Sequence, residues 1–327
     1  MNNFELLIFN LTNPTLLFFL LGVVAKVVKS DLEIPAASKG FIALYLLFSI
    51  GFNGGSELAV TGITSDVLAH LLFGFFLATL IPIYSFFILK TKLNSYDAGA
   101  IASSYGSVSA VTFVTAVALL EMNKMQVGGE MVAVMASMEF PAIIMGVILM
   151  NLFQDRSEKS SQKMPWKSAL KHSLTNGSVL MIFGSLLIGF VSDSNQTAGI
   201  KHFTTDIFKG FLAIYLLDMG MVAASRFSAF RKQGAFLIGF GIIIPLINGV
   251  LTAYFSQYIT SNEANRFVFS VLAASASYIA VPAVLRTAMP EASAPLYFGM
   301  SLAVTLPLNI LFGIPAYVAI AHRVISP

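Results

Sequence analysis

The chain contains no cysteine. That excludes disulfides, thiol nucleophiles and cysteine-ligated metal sites, and it leaves the redox compartment unread. Charge is scarce too. Asp, Glu, Lys and Arg make up 11% of the 327 residues, against about 25% in an ordinary soluble domain, so the folded chain could not cover its surface with charged groups. The formal net charge of +3 is small and spread along the sequence, which offers no footing for a nucleic-acid partner. Histidine is confined to His70, His172, His202 and His322, a spacing with no metal-ligand pattern. The N-terminal apolar run lacks a basic leader and a small-residue cleavage site. Its lysines, Lys26 and Lys29, follow the run, so it reads as a first span and not as a cleaved signal.

What is present is hydrophobicity, at 57% of residues and a mean hydropathy of +0.81. Apolar segments of about twenty residues, the length that crosses a bilayer as a helix, recur near 8–28, 38–57, 66–89, 97–120, 129–153, 173–191, 205–225, 234–259, 267–288 and 295–321. The expected fold is therefore an all-α polytopic membrane protein with ten transmembrane helices. Between the fifth and sixth segments lies a water-soluble basic connector, residues 154–172. With an even number of spans both termini share one side. Of the 19 Lys and Arg residues, 14 fall in the loops after the odd-numbered spans. The positive-inside rule then places the 154–172 loop in the cytoplasm and both termini outside the plasma (inner) membrane.

The two halves of the chain repeat. "GFIALYLLFSIGFNGGS" (40–56) returns with one gap as "GFLAIYLLDMGMVAAS" (210–225). The surroundings of Pro82 return around Pro245, and those of Pro141 around Pro307, all at an offset near half the chain. Each half, 1–153 and 173–327, holds five spans. Since five is odd, the second copy is expected to enter the membrane upside down, the inverted-repeat plan of secondary transporters, with the site where the repeats meet.

Two stretches mark that site. "SSYGSVSAVT" (103–112) in the fourth span corresponds to "AASASYIAVPAV" (273–284) in the ninth. Both are small, polar and interrupted, by Gly106 in one and Pro282 in the other. A broken helix in hydrocarbon leaves N–H and C=O groups unpaired, which is tolerated where the break lines a cavity. Two half-helix N-termini aimed at one point make an anion site without a buried cation. Ser107, Ser109, Ser275, Ser277 and Tyr278 would add hydroxyls. Intramembrane acids are costly and usually functional. Glu139, just before Pro141, and Asp218, in the seventh span, are thus the candidates for coupling to Na⁺ or H⁺, with Thr305 and Asn309 as repeat-related neighbours. The competing reading is a small-residue packing surface between helices; the matched pair of breaks favours a binding site. An intramembrane serine hydrolase, suggested by "GSVSA" (106–110), would need a histidine at the same depth, and none is there. A non-transporting receptor or scaffold would leave the paired breaks without a role.

These segments resemble the sodium-dependent bicarbonate permeases (SbtA-like). The resemblance is carried by "NPTLLFFLLGVVAK", "IGFNGGSELA", "GSVSAVTFVTAVALLE", "MEFPAII", "MGMVAASR" and "VLAASASYIAVPAVLRTAMPEASAPLYFG". It implies ten spans in two inverted repeats, divided into core and gate domains, a homotrimer, and elevator-type uptake of bicarbonate driven by Na⁺. It implies no enzymatic activity and no cofactor beyond bound Na⁺. Family substrate and sodium sites fall at the broken helices, here Ser107 and Ser109, and Ser275 and Ser277. The chain departs from the family pattern at Ala110 and Val111, and at Tyr278, Ala280 and Val281, where the family has an acid and a Ser-Gly pair. A PII-like cytoplasmic regulator, associated with the family, would act on the side of the 154–172 loop, here short and basic. The alternative within the same architecture is a proton- or sodium-coupled carrier of another small anion or carboxylate.

Overall fold

A computed structural model describes residues 14–122, 125–154, 171, 175, 177–230 and 234–323. The 154–172 connector, apart from Gln154 and Lys171, and both chain ends lie outside the described residues. Among the described residues the regular structure is helical throughout, with no strand. The elements are α1 (Pro14–Val27), α2 (Ala36–Thr61), α3 (Ser65–Lys90), α4 (Ser95–Gly106), α5 (Ala110–Met122), α6 (Glu130–Phe153), α7 (Gly177–Val191), α8 (Ser194–Lys201), α9 (Phe208–Phe230), α10 (Ala235–Phe255), α11 (Glu263–Ala274) and α12 (Ala280–Ala288). A terminal rod runs over Ala294–Ala321, interrupted by π-helical turns at Met300–Thr305 and Asn309–Gly313.

Among the described residues seven helical stretches are long and apolar enough to cross a membrane: Ala36–Thr61, Ser65–Lys90, Ser95–Leu120, Glu130–Phe153, Gln196–Phe227, Ala235–Tyr258 and Ala294–Ala321. The other three expected spans coincide with shorter elements. α1 and α7 each begin beside undescribed residues, and the ninth segment is divided between α11 and α12. The chain is therefore a polytopic helical membrane protein. Its lipid side is visible on α3 and α10, where Leu68, Leu72, Phe75 and Phe76, and Ile243, Ile247 and Leu251, stand exposed. An apolar surface of that kind is stable in hydrocarbon and not in water.

Helix ends follow local chemistry. Thr64 caps α3 by accepting from Val67 N at 3.4 Å, with Asp66 in the first turn and Lys90 in the last, each on the favourable end of the helix dipole. α2 stops at Gly62, whose φ of 75° suits glycine, and Gly62 N donates to Leu58 O at 2.8 Å.

Where helices must touch closely, glycine removes the side chain. A Cβ on Gly22 of α1 would run into Leu217 O of α9, and one on Gly220 into Phe19 O. In the same manner Gly51 and Gly55 of α2 meet the carbonyls of Ile182 and Leu186 in α7, and Gly189 meets Phe52 O. Close backbone contact of this kind joins helices in a membrane, where burial of apolar surface gives little drive for association. The pairs α1/α9 and α2/α7 flank a packed group made of α3–α6 and α10–α12 with the terminal rod, and this group carries both helix breaks.

Candidate functional site

The two broken helices are built alike. α4 and α11 are each twelve residues long, and their sequence offset is the same at both ends. Each starts under an asparagine. Asn94 Oδ1 accepts from Asp97 N at 2.8 Å, and Asn262 Oδ1 from Ala264 N and Asn265 N at 2.9 and 3.2 Å. Each ends at a serine in extended conformation, Ser107 at φ −84°, ψ −178° and Ser275 at φ −86°, ψ 169°. Extended backbone cannot continue an α-helix, so the chain leaves the helical path and resumes it at Ala110 and at Ala280.

The breaks meet. Ser109 N donates to Ser275 Oγ at 2.9 Å, and Ser277 N donates to Ser104 O at 2.8 Å. Ser109 also caps α5, its Oγ accepting from Thr112 N at 3.2 Å and from Thr112 Oγ1 at 2.9 Å. Ser277 Oγ accepts from Val281 N at 3.3 Å, the corresponding service to α12. The groups that breaking a helix would leave unpaired at depth are thus met partly by the opposite break.

The serines of the fourth and ninth segments take different places. Ser109, Ser277 and Tyr278 line a narrow cleft of about 40 Å³, together with Val108, Ala110 and Val111 of the first break and Ile279 and Ala280 of the second. Its other walls come from Ala43, Leu46 and Leu47 of α2, Ser178 and Ile182 of α7, Tyr215 of α9, and Met135, Ala136 and Glu139 of α6. Gly106, Ser107 and Ser275 sit behind the lining. A Cβ on Gly106 would strike the ring of Pro82, which puts Pro82 of α3 directly against the first break. Ser107 Oγ donates to Glu139 Oε2 at 3.3 Å, and Ser275 Oγ donates to Leu272 O at 2.9 Å.

Among the described residues Glu139 is the one carboxylate on the cleft wall, and it is 8% exposed. Asp218 does not line the cleft. It forms an ion pair with Lys39 of α2 at 2.7 Å, tying α9 to α2. Thr305 and Asn309 lie in the π-helical turns of the terminal rod. Thr305 Oγ1 donates to Gly241 O at 2.9 Å and accepts from Tyr105 Oη at 2.6 Å. Asn309 Nδ2 donates to Ala274 O at 2.7 Å, satisfying the carbonyl at the very end of α11. The Tyr278 hydroxyl, 4% exposed, makes no hydrogen bond of normal geometry within the protein, with Ser109 as a polar neighbour.

Sequence reasoning passed over Lys39, Tyr105, Ser104 and Tyr215. In sequence Lys39 is one more positive charge near a span end, and no local pattern reveals its pairing with Asp218 across the fold. Ser104 was inside the polar stretch, but its contribution is a backbone carbonyl, which residue type does not report.

Chemically, the cleft offers the Glu139 carboxylate, backed by the Ser107 hydroxyl, the side chains of Ser109, Ser178, Tyr215, Ser277 and Tyr278 among apolar walls, and two helix N-termini carrying partial positive charge and N–H groups with no preceding carbonyl to meet. A polytopic helical protein whose two interrupted helices join around such a cleft has the build of a membrane transporter. The chain belongs to the Na⁺-dependent bicarbonate transporter superfamily, which matches it over residues 14–322, nearly its whole length. It is a membrane transporter and not an enzyme. No curated protein matches the chain.

Proposed function

We propose that the protein takes up bicarbonate together with Na⁺, binding both in the cleft where the two helix breaks meet. The observation that carries this reading is the convergence of the N-termini of α5 and α12 on a cleft whose wall holds Glu139. An anion placed at the two N-termini gains from both dipole ends without a buried Lys or Arg. The same anion would be repelled by an ionised Glu139 in a low-dielectric site unless a cation came with it. Na⁺ held by the Glu139 carboxylate, hydroxyls and freed backbone carbonyls removes that repulsion, so each ion stabilises the other and transport is coupled. Ser109, Ser277 and Tyr278 are assigned to the anion, with Gly106, Ser107 and Ser275 holding the breaks open. Glu139 is assigned to the cation. Thr305 and Asn309 support the second break, and Asp218 serves through its pair with Lys39.

The equal length, capping and ending of α4 and α11, and the glycine contacts shared by α1/α9 and α2/α7, support an arrangement of ten spans as two inverted five-helix repeats. In that arrangement the packed group with both breaks is the moving core and the flanking pairs are the gate, displaced against one another in elevator fashion. The family resemblance is the basis for reading the assembly as a homotrimer in the inner membrane with a PII-like regulator at the 154–172 loop. The lysine and arginine bias is the basis for placing both termini outside.

The test is labelled-bicarbonate uptake into proteoliposomes with external Na⁺ exchanged for K⁺. Uptake that requires Na⁺ is the expected result. Uptake that follows a proton gradient instead would assign H⁺ to Glu139, and no uptake of bicarbonate under either gradient would sink the substrate assignment.

A further inference from the structure

A second, larger cleft of about 470 Å³ lies next to the first and is lined in part by adjacent turns of three of the same helices. On α2 the lining passes from Leu46 and Leu47 to Ile50 and Asn53. On α5 it passes from Val111 to Val117, and on α6 from Met135 to Val132. Val114 lines both clefts and is itself 2% exposed. Leu47, which lines the smaller cleft, and Ile50 and Val132, which line the larger, are also buried and apolar. Beyond them the larger cleft turns polar. Asn53 Nδ2 donates to Thr204 O at 3.1 Å and to Thr205 Oγ1 at 3.4 Å, and Gly128 N donates to Asn265 Oδ1 at 2.8 Å.

We propose that the larger cleft is the vestibule through which the transported ions reach the site, and that Val114 is the centre of a hydrophobic plug between them, closed in this conformation. The proposal rests on reading the smaller cleft as the transport site. An ion passing an apolar constriction must shed its water with no polar group to replace it, so a single layer of such side chains stops ions even where little solid matter intervenes. Val114 is β-branched and sits on a helix, where one χ1 rotamer dominates, so it cannot swing aside by itself. Opening the plug therefore requires α5 to move relative to α2. That is the displacement a core sliding against its gate would produce, and it links access to the site with movement of the first break.

The absence of native cysteine allows the path to be read by thiol labelling. Val117→Cys reports the vestibule and Val111→Cys the site. In proteoliposomes a membrane-impermeant maleimide should label Val117→Cys from one face, which identifies the vestibule side. From that face Val111→Cys should label slowly, and adding Val114→Thr, close in size but able to hold water, should raise its rate about tenfold. Equal Val111→Cys rates with and without Val114→Thr would overturn the plug. So would Val111→Cys labelling as fast as Val117→Cys while Val114 is intact. If Val114→Thr does not elute as a monodisperse protein, Val114→Ala, which opens the constriction by volume, gives the same comparison. The readout is labelling and not uptake. An accelerated Val111→Cys rate in a protein that moves no bicarbonate would keep the plug and remove the substrate assignment. Bicarbonate uptake without the labelling contrast would do the reverse.

Discussion

The first break, at Ser107–Ser109, and the second, at Ser275–Ile279, are reached through half-helices of equal length under the same asparagine cap, yet different groups meet the chain where each helix ends. At the first, Ser107 turns to a carboxylate, Glu139 of α6. At the second, the last carbonyl of α11 is taken by a neutral amide, Asn309 of the terminal rod. The second break is also longer before its helix resumes, and it brings in Tyr278 and Pro282. Pro282 has no N–H to offer, and at the third position of α12 it removes one of the donors an anion could use. The two half-helices are therefore alike in length and capping and different in the side chains that receive their ends. On the proposed function this difference is the means by which one cleft holds two ions of opposite sign: both breaks contribute dipole ends, and the first is the one that meets an acidic side chain, Glu139 of α6.

The comparison can be broken most severely at Ser109, where the two breaks touch. Ser109→Leu removes the α5 cap and fills the cleft lining, and uptake should fall to background while the protein still elutes as a single species; flux like that of the unaltered protein would refute the site assignment. Next comes the charge asymmetry. Glu139→Gln keeps the shape and deletes the charge, and the Na⁺ concentration for half-maximal uptake should rise about tenfold or more, the size expected when a hydrogen-bonded charged group is lost. The matching change on the other side, Asn309→Leu, leaves Ala274 O without its partner. Thermal unfolding in detergent should show a loss of about 1–3 kcal/mol, with the Na⁺ dependence retaining its midpoint. The smallest effect is expected at Tyr278→Phe. Its hydroxyl makes no normal hydrogen bond within the protein, so stability should change by no more than about 0.5 kcal/mol, and any change in uptake should appear in the bicarbonate affinity. A shift of the Na⁺ midpoint by Tyr278→Phe as large as that by Glu139→Gln would end the division of labour between the two breaks.

Much of this was legible before any coordinates. The apolar segments were plain from hydropathy, since a bilayer imposes a minimum length on any spanning helix. The breaks were legible because small polar residues with Gly106 or Pro282 at membrane depth conflict with their surroundings, and the conflict recurs at matched positions. Glu139 was legible because an acid in a span is costly. The fates of the other candidates were not. Asp218 looks like Glu139 in sequence, but it is ion-paired to Lys39 across the fold. Thr305 and Asn309 were placed beside the acid by repeat position, whereas their bonds run to Gly241 and Ala274. The π-helical turns that carry them have no local signature that sets them apart from a continuous α-helix.

By itself, then, the sequence determined that this chain lives in a membrane and where two of its helices break. Each of these follows from local chemistry: hydropathy against a bilayer's thickness, and backbone groups that helix-breaking residues leave unpaired. Tertiary structure alone decided which polar side chains share a cleft, which acid is paired away, and that one valine lines two clefts. Those are contacts between residues dozens to more than a hundred positions apart, and only the packing of the helices brings them within reach of one another.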